Sequence, residues 1–159
     1  PKWEKTYGDN GEDGFNMITR SKDNYFIAVG YSGSFFSKGM KDVLMVKIDS
    51  MGNKMWMNLY GGKSDDIANS VFECKDSGFA IAGETTSFGS GKNDILILKT
   101  NSNGVQKWKS TIGGKGVDIG RSIEELPKGG FIVSGTSTIS NLSFDSILIK
   151  TDKKGKTSN

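Results

Sequence analysis

Ile95, Leu96, Ile97 and Leu98 are apolar at four consecutive positions, which predicts a strand buried on both faces, as in a sheet sandwiched between two others. Stacked sheets follow from that. Around this run the pattern predicts strands at residues 70–74, 78–83 and 94–99, and one at Lys54–Tyr60 that carries Trp56. The 3.6-residue period of an amphipathic helix is absent.

The same landmarks return along the chain about every 52 residues. Trp3, Trp56 and Trp108 are each followed after ten residues by an aspartate, Asp13, Asp66 and Asp118, and after 17 more by Gly30, Gly83 and Gly135. A second series, Asp42, Asp94 and Asp145, leads after five residues to Lys47, Lys99 and Lys150, and after ten to Gly52, Gly104 and Gly155. Only the interval from the glycine to the second aspartate varies, taking 12, 11 and 10 residues, so length changes are confined to one surface connection. The chain divides into repeats 1–53, 54–105 and 106–159 of a single domain.

Residues 49–52, 101–104 and 152–155 each begin with Asp or Asn and end with Gly, the pattern of a type I turn closed by a residue in the left-handed region. The third and fourth strands of each unit are then hairpin neighbours. A four-stranded unit that is apolar on both faces cannot stand alone, so the predicted fold is all-β, built of stacked propeller blades. A parallel β-helix is the structural rival, but its shorter coils do not need hairpin turns at fixed offsets.

The motifs W-x-x-x-Y-G-G, x-x-x-D, G-F-x-I-x-G-x-T and D-x-L-I-x-K-x-D-x-x-G, best developed at Trp56, Tyr60, Gly61, Gly62, Asp66, Gly83 and Asp94, resemble the repeat of secreted bacterial and archaeal β-propeller proteins. The resemblance covers the whole chain. It implies an extracellular or cell-surface location and a recognition or structural role rather than a reaction. The first copy departs from it with Gly8-Asp9 in place of Gly-Gly, and the third with Ile112 in the aromatic position. The chain is also similar to quinone-dependent dehydrogenase propellers, but it lacks their vicinal cysteine pair, and no cofactor is expected.

Composition narrows the chemistry. Histidine is absent, which removes the usual neutral-pH base, the commonest zinc ligand and any Ser-His or Cys-His pair. No catalytic residues can be named, and the chain is expected not to be an enzyme. Cys74, the single cysteine, is expected to be a buried structural thiol. The net charge of +3 is spread along the chain apart from Lys153, Lys154 and Lys156, a solvated surface rather than a nucleic-acid footprint. No apolar run is long enough to span a bilayer as a helix, and Pro1 opens directly into repeat sequence, as in a mature chain or one cut from something longer.

A residue that every blade carries is there for the blade. The tryptophan series is therefore expected to pack an outer strand against the neighbouring blade. Asp13, Asp66 and Asp118 follow a glycine-rich turn whose N–H groups a carboxylate can accept, and Asp42, Asp94 and Asp145 invite the same assignment. Neither series is assigned to a metal. The stretch from Asp9 to Asp13 has the oxygen density of a calcium loop but lacks the Glu of an EF-hand.

Two functional classes remain, a module that binds a glycan, a peptide or a protein, and a structural spacer whose blades only stack. For the first, Tyr31, Phe36, Lys38 and Lys92 are the candidate contacts, in or beside the loops that emerge with the inter-blade connections. Phe35 and Phe88 share an offset and are expected to plug their loops.

The third repeat has no fourth strand, while residues 2–7 match Lys54–Tyr60 without a blade of their own. Three blades splay too widely to close a ring. Two chains that complete each other's last blade give six, half from each, and a homodimer by N-terminal strand exchange is expected. The competing account is a piece of a longer propeller.

Overall fold

A computed structural model describes residues 2–8, 10–33, 40–140 and 143–157 of the chain. Among the described residues every regular element is a strand, and the strands form three antiparallel sheets. Sheet 1 is β1 (Asp13–Arg20), β2 (Phe26–Ser32), β3 (Asp42–Ile48) and β4 (Lys54–Tyr60), hydrogen-bonded in chain order. Sheet 2 repeats the order with β5 (Asp66–Glu73), β6 (Phe79–Thr85), β7 (Asp94–Thr100) and β8 (Gln106–Ile112). Sheet 3 holds β9 (Asp118–Glu125), β10 (Phe131–Ser140) and β11 (Ser143–Thr151), with no fourth strand among the described residues.

The sheets are offset from the sequence repeats by one strand. Lys54–Tyr60 opens the second repeat but pairs with β3 of sheet 1, with Lys47 opposite Trp56 and Met45 opposite Asn58. The hairpin turn explains this. Asp49 Oδ1 accepts the N–H groups of Met51 and Asn53, both at 2.8 Å, and Gly52 closes the turn at φ 73°. Asn101 and Asp152 make the same turn with Gly104 at φ 75° and Gly155 at φ 73°.

The sheets stack through their strand faces. One core joins Ile27, Val29, Val43 and Met45 of sheet 1 to Val71, Phe79, Ile81, Leu96 and Leu98 of sheet 2. A second joins Ala80, Ala82, Ile95 and Ile97 to Ile123, Phe131, Val133 and Ile149 of sheet 3. Side chains alternate along β7, so the unbroken apolar run sends Leu96 and Leu98 one way and Ile95 and Ile97 the other. All seven residues of β7 are buried. Successive first strands are neighbours, β1 beside β5 and β5 beside β9.

Each first strand carries a register shift just after the repeat aspartate, between Phe15 and Met17, between Ala68 and Ser70, and opposite Ser134 and Gly135. Glycine is required across from it. A Cβ on Gly83 would stand 1.9 Å from the Ile67 carbonyl oxygen, and one on Gly30 at 1.9 Å from that of Gly14.

Residues 2–7 match β4 and β8 in sequence but form no strand. Among the described residues no strand pairs with them. They lie instead on the far face of sheet 1, where Tyr7 packs against Leu44, Val46 and Ile48.

Candidate functional site

Because each strand pairs with the next, connections alternate between two ends of the stack. The β2–β3 and β6–β7 loops and the sheet-to-sheet connections share one end, and the tight β1–β2, β3–β4 and equivalent turns share the other.

At the loop end the repeat aspartates hold the backbone. Asp66, fully buried, accepts the Gly62 N–H at 2.8 Å and the Ser87 hydroxyl at 2.6 Å on Oδ2. Asp118 accepts the Gly114 N–H at 2.8 Å and the Ser137 hydroxyl. Asp94 accepts the N–H groups of Ser90 at 2.9 Å and Gly91 at 3.2 Å. The two aspartate series converge at each junction. A Cβ on Gly61 would stand 2.0 Å from Asp42 Oδ1 and 2.8 Å from Asp66 Oδ2, and one on Gly113 2.3 Å from Asp94 Oδ1 and 2.8 Å from Asp118 Oδ2. These carboxylates thus sit around the glycine that enters the next sheet. Asp13 lies against Gly8 in the corresponding place, whereas Asp145 on β11 is exposed. Among the described residues no group of three or more Asp, Glu or Cys side chains is placed to hold a metal ion. Asp9 lies outside the described residues.

The tryptophans mark the sheet boundaries. Trp56 on β4 reaches Phe79 of sheet 2, ring centroids 6.4 Å apart, and Trp108 on β8 reaches Phe131 of sheet 3 at 5.8 Å. Each also covers the glycine of the next sheet's hairpin, since a Cβ on Gly104 or Gly155 would come within 3.0 Å and 2.6 Å of the indole. Trp3 stands over Gly52 in the same way, at 3.0 Å, and its Nε1–H donates to the Ser50 carbonyl at 3.2 Å. Tyr7 donates to the Gly52 carbonyl at 2.7 Å, as Tyr60 donates to that of Gly104. Burial pushes the Tyr60 phenol well up. Residues 2–7 therefore sit on sheet 1 as β4 sits on sheet 2 and β8 on sheet 3.

Of the candidate contacts, Phe36 and Lys38 lie outside the described residues, as does Phe35. Tyr31 is half-buried, with the Lys41 ammonium 4.5 Å over its ring and its hydroxyl 3.4 Å from Glu12, which also pairs with Lys41 at 3.0 Å. The hydrogen bond that the Lys41 ammonium donates to Glu12 raises the Lys41 pKa. Lys92 is exposed, and its N–H donates to the Gly116 carbonyl at 3.0 Å. Tyr31 stands at the first sheet junction, where the Asp66 N–H meets the Lys41 carbonyl, and Lys92 at the second, where that of Asp118 meets the Asn93 carbonyl. They occupy successive junctions rather than one site. Phe88 is half-buried beneath the Lys109 ammonium, 3.0 Å from the ring centre.

Two features were not picked out from the sequence. Asn16 and Asn69, the residues at the register shifts of β1 and β5, donate to carbonyls of the next first strand, Ala68 at 2.8 Å and Gly120 at 2.9 Å. A shared Asn three positions after each aspartate was the available signal, broken by Arg121 in the third repeat. The lysine series also has partners at the turn end. Lys47 meets Asp23 at 2.5 Å, and Lys99 meets Asp76 at 2.9 Å. Burial works against ionisation of Asp76, but hydrogen bonds from Lys99, Lys107 and the Gly78 N–H outweigh it and bring its pKa down to about 2.

Cys74 is fully buried in the second core, and burial pushes its thiol up to about 11. No described helix is long and apolar enough to cross a membrane. Compared with known proteins, the chain matches no family model and no curated protein. Function has to be read from the residues themselves.

Proposed function

We propose that this protein is a non-catalytic, extracellular recognition or scaffolding module, in which the three sheets are blades of a six-bladed propeller formed by two chains. One observation carries the assembly. Residues 2–7 already rest on sheet 1 in the place of a preceding blade's outer strand, with Trp3 over Gly52 and Tyr7 on its carbonyl, yet they pair with no strand. β11 offers the complementary edge, having β10 on one side and no described strand on the other. Six blades fall within the 4 to 8 that stacked sheets about 10 Å apart can close around an axis, and the pairing covers an edge that otherwise invites aggregation. The register of the two complete sheets, carried over by the repeat, puts Trp3 of one chain opposite Lys150 of the other and Lys5 opposite Leu148.

A chain carrying Lys5→Cys and Leu148→Cys tests this register. On mild oxidation it is expected to run on a non-reducing gel at twice the 17.2 kDa of one chain. Failure to cross-link, or a link formed within one chain, would overturn the exchange.

The recognition half of the proposal uses the loop end. Tyr31 and Lys92 stand at successive junctions, so this half rests on Phe36 and Lys38 in the sequence between β2 and β3, an aromatic and a cation suited to a sugar ring or an acidic peptide. The non-catalytic half draws on the absence of histidine and on the buried, high-pKa Cys74 thiol. A glycan and peptide array compares the wild-type chain with Phe36→Ala/Lys38→Ala. Loss of the bound species is expected, and retention would remove this loop from the site.

A further inference from the structure

Internal repetition supplies a control for function at the turn end of the blades. Residues demanded by the fold recur in each copy, so a change confined to one copy answers to something else. In sheets 1 and 2 the first turn places Asp23 and Asp76 against the lysine of the third strand. The third repeat has Lys128 in that position. Its hairpin turn also carries Lys153 where the other two have Ser50 and Ser102. Both changes add positive charge, and both fall on the same pocket.

That pocket, about 500 Å³, lies between sheets 2 and 3 and is lined by Lys99, Lys107, Trp108, Lys128, Phe131 and Lys153 among others. Its existing charges are largely spoken for. Asp76 takes Lys99 at 2.9 Å and Lys107 at 3.0 Å, while Glu125 accepts the Lys75 N–H at 2.8 Å and the Lys75 ammonium donates to the Pro127 carbonyl at 2.6 Å. Among the described residues no carboxylate pairs with Lys128 or Lys153. The Lys153 side chain lies across the turn, 2.5 Å from where a Cβ on Gly129 would stand, and the half-buried Trp108 forms an aromatic wall.

We propose that this pocket binds an acidic saccharide, a sugar ring bearing a carboxylate or sulfate, with Lys128 and Lys153 on the anion and Trp108 against the ring. The volume suits a ligand of one or two rings. Aromatic faces and ammonium groups meet the two halves of such a ligand. An acidic peptide would meet the lysines but would leave the Trp108 wall without a ring to stack on. Both walls come from one chain, so the site does not depend on strand exchange.

Titration of the full chain with a glucuronate-containing disaccharide, followed by tryptophan fluorescence at low salt, tests the proposal. Saturable binding is expected, weakened by added salt and by about tenfold or more in Lys128→Asp/Lys153→Ser. This variant installs the residues that sheets 1 and 2 already tolerate, and an unchanged melting temperature would show that it folds. Lys115→Ala, exposed in the β8–β9 connection at the other end of the blades, should bind as wild type. The site is overturned if the wild type shows no saturable binding, if the reverted variant keeps wild-type affinity, or if the matched neutral disaccharide or an acidic hexapeptide binds as tightly.

Discussion

Sheets 2 and 3 carry nearly the same third strand and treat it differently. β7 reads DILILKT and is buried at all seven positions, while the aligned stretch of β11, DSILIKT, is exposed along much of its length. Ile97 is fully buried and its equivalent Leu148 is 74% exposed. Ile149, which faces sheet 2, stays buried like its counterpart Leu98. The sequence of the strand cannot be the cause. β7 has β8 at its edge and a sheet on each face, whereas among the described residues β11 has no edge strand and a covering sheet on one face alone. An apolar position in a repeat thus records the neighbour it is built to meet, whether or not that neighbour is in the same chain. Sheet 1 makes the point from the other side, since residues 2–7 help to cover Leu44 and Val46 and both are buried.

The largest effect expected from this comparison is at that pair of positions. Ile97→Ala should cost about 2–5 kcal/mol in urea unfolding, the range for a large aliphatic side chain removed from a closed core. Leu148→Ala should cost under about 1 kcal/mol in a chain kept monomeric by dilution, and approach the cost of Ile97→Ala where sheet 3 is covered. Equal costs under both conditions would break the comparison.

A smaller difference lies at the turn end. Asp76 has its pKa lowered from 3.8 to about 2, so its contribution is present above about pH 4 and is lost as pH falls toward 2. Its carboxylate is 46% exposed, and with solvent screening the contribution is on the order of 1 kcal/mol. Wild type should exceed Asp76→Asn in stability by that amount at pH 6, with the gap closing by pH 2. Lys128→Ala in sheet 3, where the described residues form no such pair, should leave the profile unchanged. The smallest effect is expected at Lys92→Ala, within about 0.5 kcal/mol of wild type by thermal melting, because the side chain is exposed and only its backbone N–H spans the junction.

Much of the fold was legible because it depends on local chemistry. The Asp or Asn and Gly of each hairpin turn, and the consecutive apolar residues of β7, act within a few residues of themselves. What escaped depends on partners in the next sheet. Asn16 and Asn69 are ordinary polar strand residues until a register shift aims them at a carbonyl some 50 residues away. Asp23 and Asp76 look like turn residues, and only the folded sheet brings them under Lys47 and Lys99. Tyr31 is a candidate contact by its place beside a loop, but in the folded sheet Lys41 and Glu12 engage it. Residues 2–7 carry a strand's sequence, but among the described residues no strand lies beside them to supply a strand's hydrogen bonds.

Light scattering on the purified chain, across a range of concentrations, tests the central claim that β11 and residues 2–7 complete each other between copies. Twice the 17.2 kDa mass of one chain is predicted, falling to 17.2 kDa when residues 1–7 are deleted, and a wild-type chain that stays at 17.2 kDa at all concentrations would contradict it.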